Sequence, residues 1–129
     1  MIYIGTPLSD AEFVKVQDFL SRIKPLLMTN DCLFQQTGKN KIFDKQYPLR
    51  HADKVAILRQ LLPEDCVKVE PNNNPRFEET DIFVFIKCVE IPVYGEISPH
   101  KLYIKIYLRE QKNYDTVIVI SFHEEGMHD

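Results

Sequence analysis

The sequence has no tryptophan, and only four glycines and three cysteines in 129 residues. The glycines are isolated, so no glycine-rich phosphate loop is present. Cys32, Cys66 and Cys88 are odd in number and widely spaced, without a Cys-x-x-Cys pair. Neither a disulfide framework nor a thiolate zinc site is indicated. Three small buried hydrophobes in a reducing cytoplasm are expected instead. No apolar stretch approaches the ~18–20 residues that span a bilayer. The start of the chain lacks a basic segment followed by an apolar one, so neither a secretory leader nor a membrane partner is expected. Positive charge is not in excess: 16 Lys and Arg face 19 Asp and Glu, for a net charge of −3. That balance argues against coating nucleic acid through bulk charge, though not against a local basic site. His123, Glu124, Glu125 and His128 do not follow the His-Glu-x-x-His spacing. No metal or other cofactor is expected.

What remains is an ordinary globular composition, 44% hydrophobic and 27% charged, in a length that suits one domain. Residues 2–4 suggest a small strand. Ser9 with Glu12 three residues later forms a capping box, so a helix should start near Asp10. Phe13, Val16, Leu20 and Ile23 continue it at helical spacing, and Pro25 should end it. Residues 28–49 read as short pieces joined by a turn at 37–40. A second helix is expected over 51–62, where Val55, Leu58 and Leu62 recur, with Pro63 as its stop. His51 near its start suits either a capping residue or a ligand contact. Residues 66–69 suggest a short strand, and 71–75 a loop.

Beyond that loop the period changes from 3.6 to 2. Strands are expected over 82–91, 101–109 and 116–123, with connections at 92–99 and 111–115. This order predicts an α+β fold, with N-terminal helices packed on one face of a small antiparallel sheet. Leu102, Ile104, Ile106 and Leu108 share one face of the second of these strands, and Ile118, Ile120 and Phe122 one face of the third. Pairing both apolar faces against the helices leaves Tyr103, Lys105, Tyr107, Ser121 and His123 on the open face, with Arg109 at its end. A lysine there can offset phosphate charge, and an imidazole can move protons near neutrality. A phenol can donate to a phosphate oxygen or stack on a base. The same residues also fit the ordinary wet face of an antiparallel sheet. Cations gather over 39–54 and 101–112, and acids over 64–81 and in the tail.

Three segments resemble the MqsR-type toxins of bacterial toxin–antitoxin systems. Leu61-Leu-Pro-Glu-Asp-Cys-Val-Lys68 is similar to the family's acidic step ending in lysine. Tyr103-Ile-Lys-Ile106 is similar to its Tyr-x-Lys strand, and Val119-Ile-Ser-Phe-His123 to its closing strand. The likeness covers about residues 50–123. It implies a RelE-like fold, divided as an N-terminal extension with a helix (1–47), a toxin-like core (48–123) and a tail (124–129). It also implies a metal-independent mRNA interferase, with RNA as substrate and a cognate antitoxin as protein partner. By the same likeness the family's functional lysine falls on Lys68, its strand tyrosine on Tyr103 and its last lysine on His123. A glutamine used by some members falls near Thr80. Histidine in place of lysine substitutes a proton shuttle for a fixed cation.

Together these readings predict an endoribonuclease in which the 2′-hydroxyl of bound RNA attacks the adjacent phosphate. His123, Lys68, Tyr103 and Lys105 would be catalytic. Thr80, Tyr107, Arg109 and Ser121 would bind substrate. The alternative is a non-catalytic interaction module, an immunity protein, inhibitor or degenerate toxin, that recruits its partner through an exposed edge strand.

Overall fold

A computed structural model describes residues 7–72 and 81–126. The expected strand at 2–4, Thr80 and His128 lie outside these residues. The described elements are α1 (Asp10–Met28), β1 (Cys32–Phe34), α2 (Gly38–Gln46), α3 (His51–Leu58), β2 (Cys66–Glu70), β3 (Ile82–Val93), β4 (Glu96–Glu110) and β5 (Asp115–Glu124). The sheet order is β1-β5-β4-β3-β2. The fold is α+β, with helices preceding the long strands. The sheet is mixed rather than wholly antiparallel, because β1 runs parallel to β5.

Helix α1 begins as its capping box dictates: the Ser9 hydroxyl accepts from the Glu12 amide, and the Glu12 carboxylate accepts from the Ser9 amide. It passes through Pro25 instead of stopping there. The proline removes only one bond near the helix end, while Leu27 beyond it is buried. Thr29 then closes the helix, its amide and hydroxyl both donating to the Pro25 carbonyl. Helix α3 stops at Leu58, earlier than the pattern suggests. Gln60 and Leu61 continue in tight i→i+3 bonds, which still bury Leu61.

Prolines do not interrupt the β3–β4 hairpin. Its strands run past Pro92 and Pro99 to a turn at Tyr94 and Gly95, both with positive φ, as a two-residue hairpin turn requires. Pairing with β2 reaches only Phe85, and pairing with β5 only Leu102. Among the described residues the outer arm therefore has no strand on either flank, which is where a residue without an N–H is tolerated.

One hydrophobic core joins Val16, Phe19 and Ile23 of α1, Phe43 of α2, Leu58 of α3, and Phe85, Ile104, Ile106, Val119 and Phe122 of the sheet. Phe19 stacks on Phe83 at 4.0 Å. Cys32 and Cys66 are buried, and burial pushes their thiols up to about 12 and about 11. Cys88, expected inside, is exposed.

Segment 37–40 is not a turn. Thr37 is the N-cap of α2, its hydroxyl accepting from the Asn40 amide. Asn40 is 4% exposed and stands beside β5 where β1 has ended. Its side-chain oxygen accepts from Phe122 N at 2.9 Å. Its amide nitrogen donates to Ile120 O at 3.0 Å and to Gln35 O at 2.7 Å. One side chain thus supplies the bonds that a neighbouring strand would make. Asn40→Ala should cost about 2–4 kcal/mol by leaving buried N–H and C=O groups unpaired. Asn40→Asp should fare no better, since it turns an oxygen toward two carbonyls. Urea denaturation of the three proteins checks both expectations.

Candidate functional site

The face opposite the helices is built from alternate residues of β2 to β5. Lys68 pairs with Val84, Val84 with Lys105, and Lys105 with Ser121, in one row across four strands. In the next row Ile86 pairs with Tyr103, and Tyr103 with His123. The rings of Tyr103 and His123 stack at 5.5 Å and 16°. Five of the expected residues, Lys68, Tyr103, Lys105, Ser121 and His123, are therefore brought into two adjacent rows.

Tyr107 lies on the same face in the row beyond Lys105, and Arg109 lies farther along the strand. Between Ser121 and Val119 the register of β5 slips by one, leaving Ile120 as an extra residue opposite Lys105 and Ile106. This bulge reverses the alternation that the sequence suggests. Val117 and Val119 face the helices, and Ile118 joins Tyr107 on the other face. Ile120, expected in the core, is half-buried. Arg109 pairs with Thr116, four residues beyond Lys105 and so roughly 13 Å along the strand.

Nor is this face simply wet. Val84, Tyr107, Ile118 and His123 are all at most 5% exposed. Burial also raises the Tyr107 phenol, against the lowering influence of Arg109. Accessible charge lies beside this apolar patch. Lys68 is the open cation, with Lys105 half-buried.

Glu70, which the sequence reading does not single out, joins the two lysines. Its carboxylate oxygens lie 3.5 Å from Lys68 Nζ and 3.6 Å from Lys105 Nζ. The alternation Lys68-Val69-Glu70 on a strand is the signal that puts lysine and glutamate on one face. At these distances and exposures each contact contributes at most about 1 kcal/mol. An incoming phosphate can therefore compete for the same lysines.

His123 Nδ1 lies 2.9 Å from the carbonyl oxygen of Glu124. A carbonyl only accepts, so Nδ1 carries hydrogen. In the neutral ring Nε2 is then the proton-accepting nitrogen.

Glu124 begins a second polar group, on the helix side of the sheet. The Tyr47 hydroxyl donates to its Oε1. His100 Nδ1 lies 3.5 Å from its Oε2, and Ser98 Oγ lies 3.0 Å from His100 Nε2. His51 is the first residue of α3, bonded to the Asn30 side chain at 2.9 Å. Among the described residues, no group of three or more His, Cys, Asp or Glu could hold a metal ion. No described helix is long and apolar enough to cross a membrane. No family model, curated protein or solved structure matches the chain.

Burial, the hydrogen bond to Glu124 and the charge of Glu124 together push the Tyr47 phenol up to about 12, from an ordinary value of 10.0. Between those values the folded protein holds more protons than the unfolded one, so stability falls as pH rises. This contribution is complete below about pH 10 and lost by about pH 12. Thermal melts of wild type and Tyr47→Phe across that range should converge, because only the wild type carries the titrating phenol.

Proposed function

We propose that this protein is a metal-independent endoribonuclease of the mRNA-interferase kind, restrained in the cell by a cognate antitoxin. The observation that carries the reading is the Tyr103–His123 stack in the row next to Lys105 and Ser121. The segment resemblance described above supports it. In the proposed reaction His123 Nε2 accepts the proton of the RNA 2′-hydroxyl. The 2′-oxygen bonds to the adjacent phosphorus, and the bond from phosphorus to the 5′-oxygen breaks. The leaving 5′-oxygen takes up a proton. The products are a 2′,3′-cyclic phosphate and a 5′-hydroxyl. Lys68 and Lys105 offset the charge that grows on the phosphate oxygens. Tyr103 orients the imidazole by stacking, and its hydroxyl positions the phosphate or supplies the leaving-group proton. Substrate entry exchanges Glu70 for phosphate on the two lysines.

The burial of His123, at 4% exposure, favours a second reading: a protein-interaction module. Among the described residues strand β2 lies at one edge of the sheet, a place where a partner's strand can add.

The test is incubation of the purified protein with mixed-sequence RNA in the presence of EDTA, with analysis of fragment ends. The reading predicts discrete fragments ending in 2′,3′-cyclic phosphate. His123→Ala should slow cleavage by ~10²-fold or more, the usual worth of a positioned acid–base group. Lys105→Ala should weaken cleavage and reduce its salt sensitivity. Intact RNA with a folded protein would overturn the ribonuclease and favour the interaction module.

A further inference from the structure

The polar group on the helix side has no part in the proposed reaction, yet it is tied to the site through one residue. Glu124 is the last residue of β5 and directly follows His123. Its main-chain carbonyl accepts from His123 Nδ1. Its carboxylate is gripped from two sides, by the Tyr47 hydroxyl on Oε1 and by His100 on Oε2. The two gripping rings also touch edge to face, with centroids 4.8 Å apart. Tyr47 is the C-cap of α2, and its amide donates to the Phe43 carbonyl. The grip therefore fastens the end of the strand to the helix layer.

A strand end needs such fastening. Past Phe122, among the described residues, β5 has β4 on one side and no strand on the other. The pairing of Glu124 with Leu102 and the bond from Glu125 N to Lys101 O, at 2.7 Å, are the last rungs among the described residues. Gly126 follows with φ 87°. Terminal rungs open more readily than central ones. If Glu124 rotates, its carbonyl leaves Nδ1 and that contact no longer favours the Nδ1–H form.

We propose that Tyr47 and His100, by holding the Glu124 carboxylate, fix the Glu124 carbonyl where it keeps His123 in the Nδ1–H form. Tyr47 is then a positioning residue for the proton-transfer group of the ribonuclease reading, on which its catalytic meaning rests. The design resembles other sites in which a partner on one ring nitrogen decides what the other can do. A general base in the wrong tautomer is ineffective even when the ring is in place.

Side-chain ¹⁵N NMR of the full chain reads the tautomer of the neutral ring without any RNA. Wild-type His123 should show a protonated Nδ1 and an unprotonated Nε2. Tyr47→Phe should raise the Nε2–H fraction at His123, with the amide spectrum of the core unchanged. Glu124→Gln keeps a similar shape, loses the carboxylate and should do the same. A wild-type ring protonated on Nε2 would overturn the proposal. So would a Tyr47→Phe ring that stays in the Nδ1–H form. With active protein, Tyr47→Phe should lower kcat by about tenfold or more at unchanged KM. If the NMR result holds but wild type leaves RNA intact, the ribonuclease reading fails and the tautomer lock stands.

Discussion

The amide of Asn40 is the constraint on which the site depends. Strand β5 carries Ser121 and His123, yet its parallel neighbour β1 ends at Phe34. The bond from Gln35 N to Val119 O continues that ladder by one step. Beyond it the β5 backbone contains a bulge, whose extra residue Ile120 has no partner on β4. A buried, bulged strand edge would leave polar groups unpaired at a cost of roughly 1–3 kcal/mol each. Asn40 prevents this by bonding on both sides of the bulge. The helix that carries Asn40 is packed on the same strand, where Phe43 meets Phe122 ring to ring at 5.7 Å. It is also pinned to α3 by the Asp44–Lys54 ion pair at 2.7 Å, with Lys54 Nζ lying over the Phe34 ring. Tyr47 at the end of α2 then reaches Glu124. Helix α2 therefore braces β5 from Ile120 to its last residue.

The bulge also divides the sheet face in chemical terms. On one side of it Ser121 and His123 meet Lys105 and Tyr103. On the other, Ile118 meets Tyr107. An unbroken strand could not present both sets on the same face, because its alternation would put Ile118 behind Ser121. The result is a polar end with paired lysines beside a buried apolar middle. Glu70 balances the two lysines. Its contacts, at 3.5 and 3.6 Å and partly exposed, are individually weak.

Much of this was legible in the sequence. The Ser9–Glu12 box marks the start of α1. Leu102, Ile104, Ile106 and Leu108 are all buried, as their period of two requires. That Tyr103, Lys105, Ser121 and His123 share one face also follows from the alternation in the last two strands, whereas their register across the strands depends on the bulge. The bulge was not legible, since residues 117–120 are all apolar and either alternation looks like a core face. Helix α2 was hidden because it buries only Asn40 and Phe43, too few apolar positions to show a helical period. The role of Asn40 depends on partners eighty or more residues away, which no local pattern reports. Glu70 was missed because it pairs with Lys105 across an intervening strand.

Native-state hydrogen exchange at the Phe122 amide tests the brace most directly. This amide has no strand partner, and an edge amide exposed to water exchanges by local fraying. If Asn40 replaces the missing strand, Phe122 should exchange only with global unfolding, as slowly as the central amides of β4. Exchange at the rate of a frayed edge would show that Asn40 does not hold β5, and the account of how His123 is positioned would fail with it.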